Sequence, residues 1–231
     1  MPVRDPDRAR VWRAALSVAL ATAAYGVSFG ALATASGLSV AQACVLSLVL
    51  FSGGSQFAIV GVIAAGGVGA GGAAIAGAAL LGVRNLFYSV RMSPIIGPGS
   101  WRRIAAAHLT IDESTAVGTA QPTPSLQRLG FWVTGLGVFL GWNATTLVGA
   151  LLGDLLGDVR GFGLDAAASA AFLGLLWPRL RQRQALAVAC ASAVIAVVAV
   201  PWLPVGVPVL ITVVVAVLVG ATNWLGRERA T

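Results

Sequence analysis

The sequence predicts an all-α, polytopic helical membrane protein with about seven to eight transmembrane segments. Three observations carry that prediction. The 231 residues are 58% apolar. Only 10% are charged, against about a quarter in an ordinary soluble domain, and the mean hydropathy is +0.88. The fifteen basic residues are all Arg, and most sit in short clusters between apolar runs. A basic soluble protein would suggest nucleic acid. Here the spacing points to the anionic cytoplasmic leaflet, so a lipid bilayer and not nucleic acid is the expected partner.

A helical span needs about 20 apolar residues. The first covers residues 11–34 and follows Arg4, Arg8, Arg10 and Arg13. It is too long for the apolar region of a signal peptide and is read as uncleaved. Residues 38–51 are apolar but short. Ser52-Gly53-Gly54-Ser55-Gln56 then interrupts the pattern before another short apolar run to residue 72. This is the expected broken or re-entrant pair at residues 38–72. Residues 72–90 form a further span carrying Arg84-Asn85, and residues 91–103 read as a polar loop. Residues 104–120 are mixed, with His108, Asp112 and Glu113. Residues 130–152, 161–177, 184–200 and 205–225 are clean spans. Cys44 and Cys190 read as buried small hydrophobes.

Arginine placement orients these segments, because positive charge prefers the cytoplasm. With Arg4 to Arg13 inside, residues 38–72 must cross an even number of times for Arg91, Arg102, Arg103 and Arg128 to be inside as well. Thirteen arginines then fall inside, Arg160 falls outside and Arg84 lies in the membrane. Both termini are expected in the cytoplasm. The expected organisation is an N-terminal arm over residues 1–10, one transmembrane domain over 11–225 and a tail over 226–231.

Polar residues in apolar stretches are the functional candidates. The Ser52–Gln56 break frees backbone carbonyls for a substrate site near the midplane, or lets helices approach closely. Gln56 tips the balance toward a site, because an amide in the bilayer needs a partner. In Tyr25-Gly-Val-Ser28-Phe29-Gly30, the paired glycines suit helix packing, and Tyr25 and Ser28 are candidates to line a cavity. Arg84 lies about 10 Å from the cytoplasmic end of its span, so it can snorkel, bind a carboxylate, or pair with Asp112 or Glu113. His108 and Asp112 share a face if one helix carries both, and with Glu113 they form a candidate proton relay. Alternatively, Thr110-Ile-Asp-Glu113 is a capping box starting a helix near residue 111, and Ser39-Val-Ala-Gln42 is a second. Asp165 sits one turn into its span, where a carboxylate also suits a helix N-terminus. No phosphate-binding loop, metal-ligand cluster or nucleophile elbow is present, so no cofactor, metal or catalytic residue is expected.

Three stretches together resemble the AzlC-type branched-chain amino acid exporter family. They are Tyr25 to Ala31 with Ser36-Gly-Leu-Ser39 and Ser52 to Phe57; Arg84 to Pro94; and Thr110 to Ala116 with Gly163-Leu-Asp165 and Ala171-Phe-Leu173. The resemblance implies a small permease that exports branched-chain or similar hydrophobic amino acids with a small AzlD-type membrane subunit. It maps the family's motifs onto Gly54, Ser55, Gln56 and Phe57, onto Arg84, and onto Asp112 and Glu113. The family pattern has Asn two residues before that arginine. This chain has Gly82 there and places Asn85 after it.

On this reading, Phe29 and Phe57 meet the apolar side chain, and Arg84 or the broken helix meets the carboxylate. Gln56 or freed carbonyls meet the ammonium. Tyr25, Ser28, Ser55 and Asn85 complete the substrate set. Proton coupling falls to His108, Asp112, Glu113 and Asp165. The competing classes are a passive channel, a non-transporting membrane subunit and, least of all, an intramembrane enzyme using His108.

Overall fold

The structure, a computed structural model, describes residues 5–156, 173–174, 176–177 and 179–222. These residues are helical, as expected. Three helices among them are long and apolar enough to cross a membrane: Pro6–Ala35, Val68–Ile96 and Pro124–Leu155. They lie within α1 (Asp5–Ala35), a short 3-10 turn (Val68–Ala70) running into α4 (Gly71–Ile96), and α7 (Pro124–Leu156). Between them lie four short helices: α2 (Val40–Val49), α3 (Gly53–Gly66), α5 (Ser100–Leu109) and α6 (Asp112–Thr119). After α7 come α8 (Arg183–Ala199), α9 (Val207–Ile211) and α10 (Val213–Thr222). The span expected over 205–225 is thus interrupted at Thr212, whose hydroxyl donates to the Val209 carbonyl.

The α1–α7 pair is the most extensive packing in the bundle. Small residues make it possible, because in lipid close van der Waals approach replaces the hydrophobic drive between helices. Gly137, Gly141, Gly149 and Gly153 of α7 face Ala19, Ala23, Val27 and Ala31 of α1 in turn. The order rises together on both helices, so they run parallel. A Cβ on Gly149 would collide with the Val27 carbonyl, and one on Gly30 with the Thr146 carbonyl. Thr145 donates across the seam to the Ala23 carbonyl at 2.6 Å. The paired glycines of α1 are therefore packing elements. Arg8 and Arg128 border one surface depression at the shared N-terminal end of the two helices.

The expected broken pair is a hairpin of two short apolar helices, α2 and α3, each shorter than the three long ones. Helix α2 begins just past the C-terminal end of α1, with the expected capping box: Ser39 N–H donates to Gln42 Oε1 at 2.8 Å, and Gln42 N–H to Ser39 Oγ at 3.2 Å. Near its C-terminal end, Ser47 donates to Thr146, about two-thirds of the way along α7. After a break at Leu50–Ser52, α3 turns back and runs antiparallel to α4: Gly54 faces Arg84, Ser55 faces Ala78, and Gly66 faces Ala70.

The stretch 104–120 is a second hairpin entering from the opposite end. Helix α4 extends through Pro94 to Ile96, so the polar loop expected over 91–103 shrinks to three residues. Pro94 is accommodated near the helix end, and Gly97 (φ +82°) terminates it. Helix α5 climbs to Leu109, beside Gly135 of α7. The chain then breaks, and α6 descends antiparallel to α7, with Val117 against Gly130 and Gly118 between Met92 and Phe131. That contact places the last turns of α4 at the arginine-rich end and makes α4 antiparallel to α1 and α7.

The two units α1–α2–α3 and α4–α5–α6 repeat each other in inverted orientation. Each is a long helix, a positive-φ glycine, a ten-residue helix, a break and a returning helix. Gly37 and Gly97 lie 60 residues apart, as do Val40 and Ser100, which open the two ten-residue helices. The hairpin tips meet: the Phe51 and His108 rings are 6.0 Å apart, and both rings pack edge-on against Phe139.

Candidate functional site

The two breaks and the middle of α1, α4 and α7 enclose a cavity of about 470 Å³. That lies within the range of small-molecule sites, about 300–1,000 Å³. Helix α1 contributes Ala21, Thr22 and Tyr25, and the first break contributes Phe51, Ser52, Gly53, Gly54 and Phe57. Helix α4 supplies Leu81 and Arg84. The second break supplies Ile111, Asp112 and Glu113, and α7 supplies Val138 and Trp142. Leu176 also borders the cavity.

The walls divide by chemistry. One side is aromatic and aliphatic: Phe57 meets Trp142 edge-on with ring centroids 6.3 Å apart, and fully buried Phe29 supports both from behind. The other side is charged. Arg84 Nη1 donates to Asp112 Oδ2 at 2.7 Å, with both side chains half-buried. Glu113 stands beside them. Arg84 is twelve residues from the end of α4, about 18 Å along the helix, which is deeper than the sequence implied. It pairs across the bundle and does not snorkel. Gly54 makes room for it: a Cβ there would sit 3.1 Å from Arg84 Nη2.

Several predicted residues lie elsewhere. Gln56 is fully buried behind the cavity wall. Its amide donates to the Leu50 carbonyl at 2.6 Å and the Ser47 carbonyl at 3.4 Å, and accepts from Trp142 Nε1 at 2.8 Å. The amide thus satisfies carbonyls freed at the end of α2 and is not open to a substrate. Ser55 is also buried and donates to the Ala78 carbonyl at 2.9 Å, joining α3 to α4. Gly82 lies beside that serine, not in the cavity wall. Ser28 is exposed, Asn85 is half-buried, and neither lines the cavity.

His108 and Asp112 do not share a helix face, because the chain is extended at Thr110 and Ile111. His108 is exposed and stacks with Phe51 and Phe139 outside the cavity. The capping box read at Thr110 and Glu113 is also displaced. Thr110 donates back to the Ala106 carbonyl, and Ser114 Oγ accepts from the Ile111 N–H, with helix α6 starting at Asp112. Glu113 takes no part in a box with Thr110. Cys44 is half-buried and Cys190 exposed, not buried as expected. Asp165 lies outside the described residues.

Several wall residues, among them Thr22, Val138 and Trp142, were not singled out in the sequence. Trp142 carried a usable signal: an indole N–H inside an apolar span requires an acceptor. Ser52 was visible only as part of the break.

Long apolar helices around two broken hairpins that meet at a partly charged cavity define an all-α helical membrane protein. The chain belongs to the AzlC family: the family model described as AzlC protein matches residues 17–156, more than half of the sequence, and that range holds every cavity-lining residue except Leu176. That family is a transporter family associated with branched-chain amino acids. No curated protein and no solved structure matches the chain.

Proposed function

We propose that this protein exports branched-chain or similar hydrophobic amino acids across the cytoplasmic membrane, coupled to protons, together with a small AzlD-type subunit. One observation carries the reading. The cavity between the hairpin tips combines an apolar wall with a cation and two carboxylates. A hydrophobic amino acid presents the same set: an aliphatic side chain, a carboxylate and an ammonium. Tyr25, Phe57, Val138 and Trp142 form the side-chain pocket, and Arg84 and Glu113 offer the two charged poles. Phe29, Ser55 and Gln56 support that wall from behind.

Glu113 and Asp112 are the proton-coupling groups of this proposal, since both reach the cavity. His108 stays outside it. The inverted repeat supports alternating exposure, because exchanging the conformations of two like hairpins would open the cavity to either side of the membrane. The arginine-rich end, with Arg8, Arg91, Arg102 and Arg128, is cytoplasmic by the charge rule, and the same rule applied to Arg227 and Arg229 in the sequence assigns both termini to that side.

The test is accumulation of radiolabelled leucine, valine and isoleucine, one at a time, in cells expressing the chain with and without the small subunit. Export lowers accumulation of at least one of them when both subunits are present. Unchanged accumulation of all three, with the protein confirmed in the membrane, would remove the substrate reading.

A further inference from the structure

We propose that the first turn of α3, the Ser52 hydroxyl and the free edge of Arg84 form an anion subsite that takes the carboxylate of the transported amino acid. The proposal rests on reading the chain as an amino acid transporter and adds where and by which atoms the substrate is held.

The two breaks present two helix N-termini to one cavity, and they differ in charge. Helix α6 carries Asp112 and Glu113 in its first turn and so brings its own anions. Helix α3 has no acidic residue in its first turn. Its leading N–H groups have no partner within the helix, and its N-terminal end carries about half a positive charge. The fourteen residues of α3 are enough to develop that dipole. Gly53 and Gly54 carry no side chain, so the Trp142 ring and the Arg84 guanidinium come close to the helix start: a Cβ would meet them at 3.3 and 3.1 Å.

Ser52 is the independent sign of a ligand. A serine at the N-cap ordinarily turns its oxygen back onto the N–H groups of its own helix. Here it makes no such bond. Ser52 is only 4% exposed, its hydroxyl has no partner among the described residues, and it stands in the cavity wall. A buried hydroxyl without a partner is costly unless something fills the site.

Arg84 completes the subsite. Asp112 occupies its Nη1, while Nη2 lies beside Gly54 and Nε is buried without a partner. One carboxylate therefore neutralises one edge of the guanidinium, and the other edge adjoins a second positive element, the α3 terminus. A substrate carboxylate placed there meets N–H, O–H and guanidinium donors together. Glu113, on the opposing break, then faces the ammonium.

The experiment uses the purified full chain with its small subunit in nanodiscs. Binding of radiolabelled leucine is measured, with competition by 4-methylpentanoate, which lacks the amine, and by leucinamide, which lacks the carboxylate. Ser52→Ala is expected to weaken leucine and 4-methylpentanoate about ten-fold or more, the loss of one hydrogen bond to a charged group. Leucinamide should compete as it does against the unmodified protein, and Ser52→Thr should restore leucine binding. Leucine affinity unchanged in Ser52→Ala, or an equal loss for all three ligands, would overturn the subsite. Failure of the unmodified protein to bind any of the three would overturn the transporter reading itself.

Discussion

At the residue scale, the ion pair between Arg84 and Asp112 organises the charged side of the cavity. Each removal alone leaves an unpaired charge between helices, whereas removal of both does not. Arg84→Gln and Asp112→Asn should each lower the melting temperature of the purified protein. The double variant should lose less than the two added together, with a coupling of roughly 1 kcal/mol because both side chains keep some exposure. Additive losses would show that the pair is not a unit. Much of this was legible in the sequence, since an arginine and two acids stand out in apolar runs. Which of them pair was not. The four-residue spacing of His108 and Asp112 suggested a shared face, and the extended backbone at Thr110 and Ile111 separates them. Gln56 shows the reverse case: the need of its amide for partners was readable, but three partners inside the fold were not.

At the element scale, the parallel α1–α7 seam sets the spacing of everything attached to it. Gly149→Leu puts a branched side chain into the Val27 backbone and should abolish recovery of monodisperse protein from detergent. Gly72→Leu, at a position with open space around its Cα, should be recovered normally. Equal recovery of both would contradict the seam. The glycine pairs were visible in the sequence, but their partners were not, because periodicity gives a face and not a neighbour. Caps behaved unevenly. Ser39 and Gln42 form the box their spacing implies. Thr110 and Glu113 do not, since Ser114 takes the Ile111 N–H first. The end of α4 was misplaced because a proline and a run of polar residues imitate a loop, while Pro94 sits close enough to the helix end to be carried.

At the scale of the whole molecule, the arginine count asks for an even number of crossings between residues 38 and 72, and the broken α2–α3 hairpin is compatible with that. The inverted repeat escaped the sequence because equivalent positions share almost no residues. Leu50-Phe51-Ser52-Gly53 stands against Thr110-Ile111-Asp112-Glu113, and only punctuating glycines such as Gly37 and Gly97 keep the register. The topology makes a direct prediction. In a background with both cysteines replaced by serine, Val68→Cys should react with an impermeant maleimide from outside the cell. Trp101→Cys should react only after the membrane is opened. Both residues are highly exposed, and they sit at opposite ends of the bundle. Labelling of both from one side would refute the arrangement of the hairpins.

The central claim is that the cavity between the two hairpin tips is where the amino acid is carried. Leucine counterflow in proteoliposomes holding the chain and its small subunit tests it most directly. The unmodified protein and Ser28→Ala, altered outside the cavity, should exchange internal for external leucine at similar rates, while Arg84→Gln should fall at least ten-fold. Exchange by Arg84→Gln at the unmodified rate, with equal protein in the membrane, would mean that the substrate passes somewhere else.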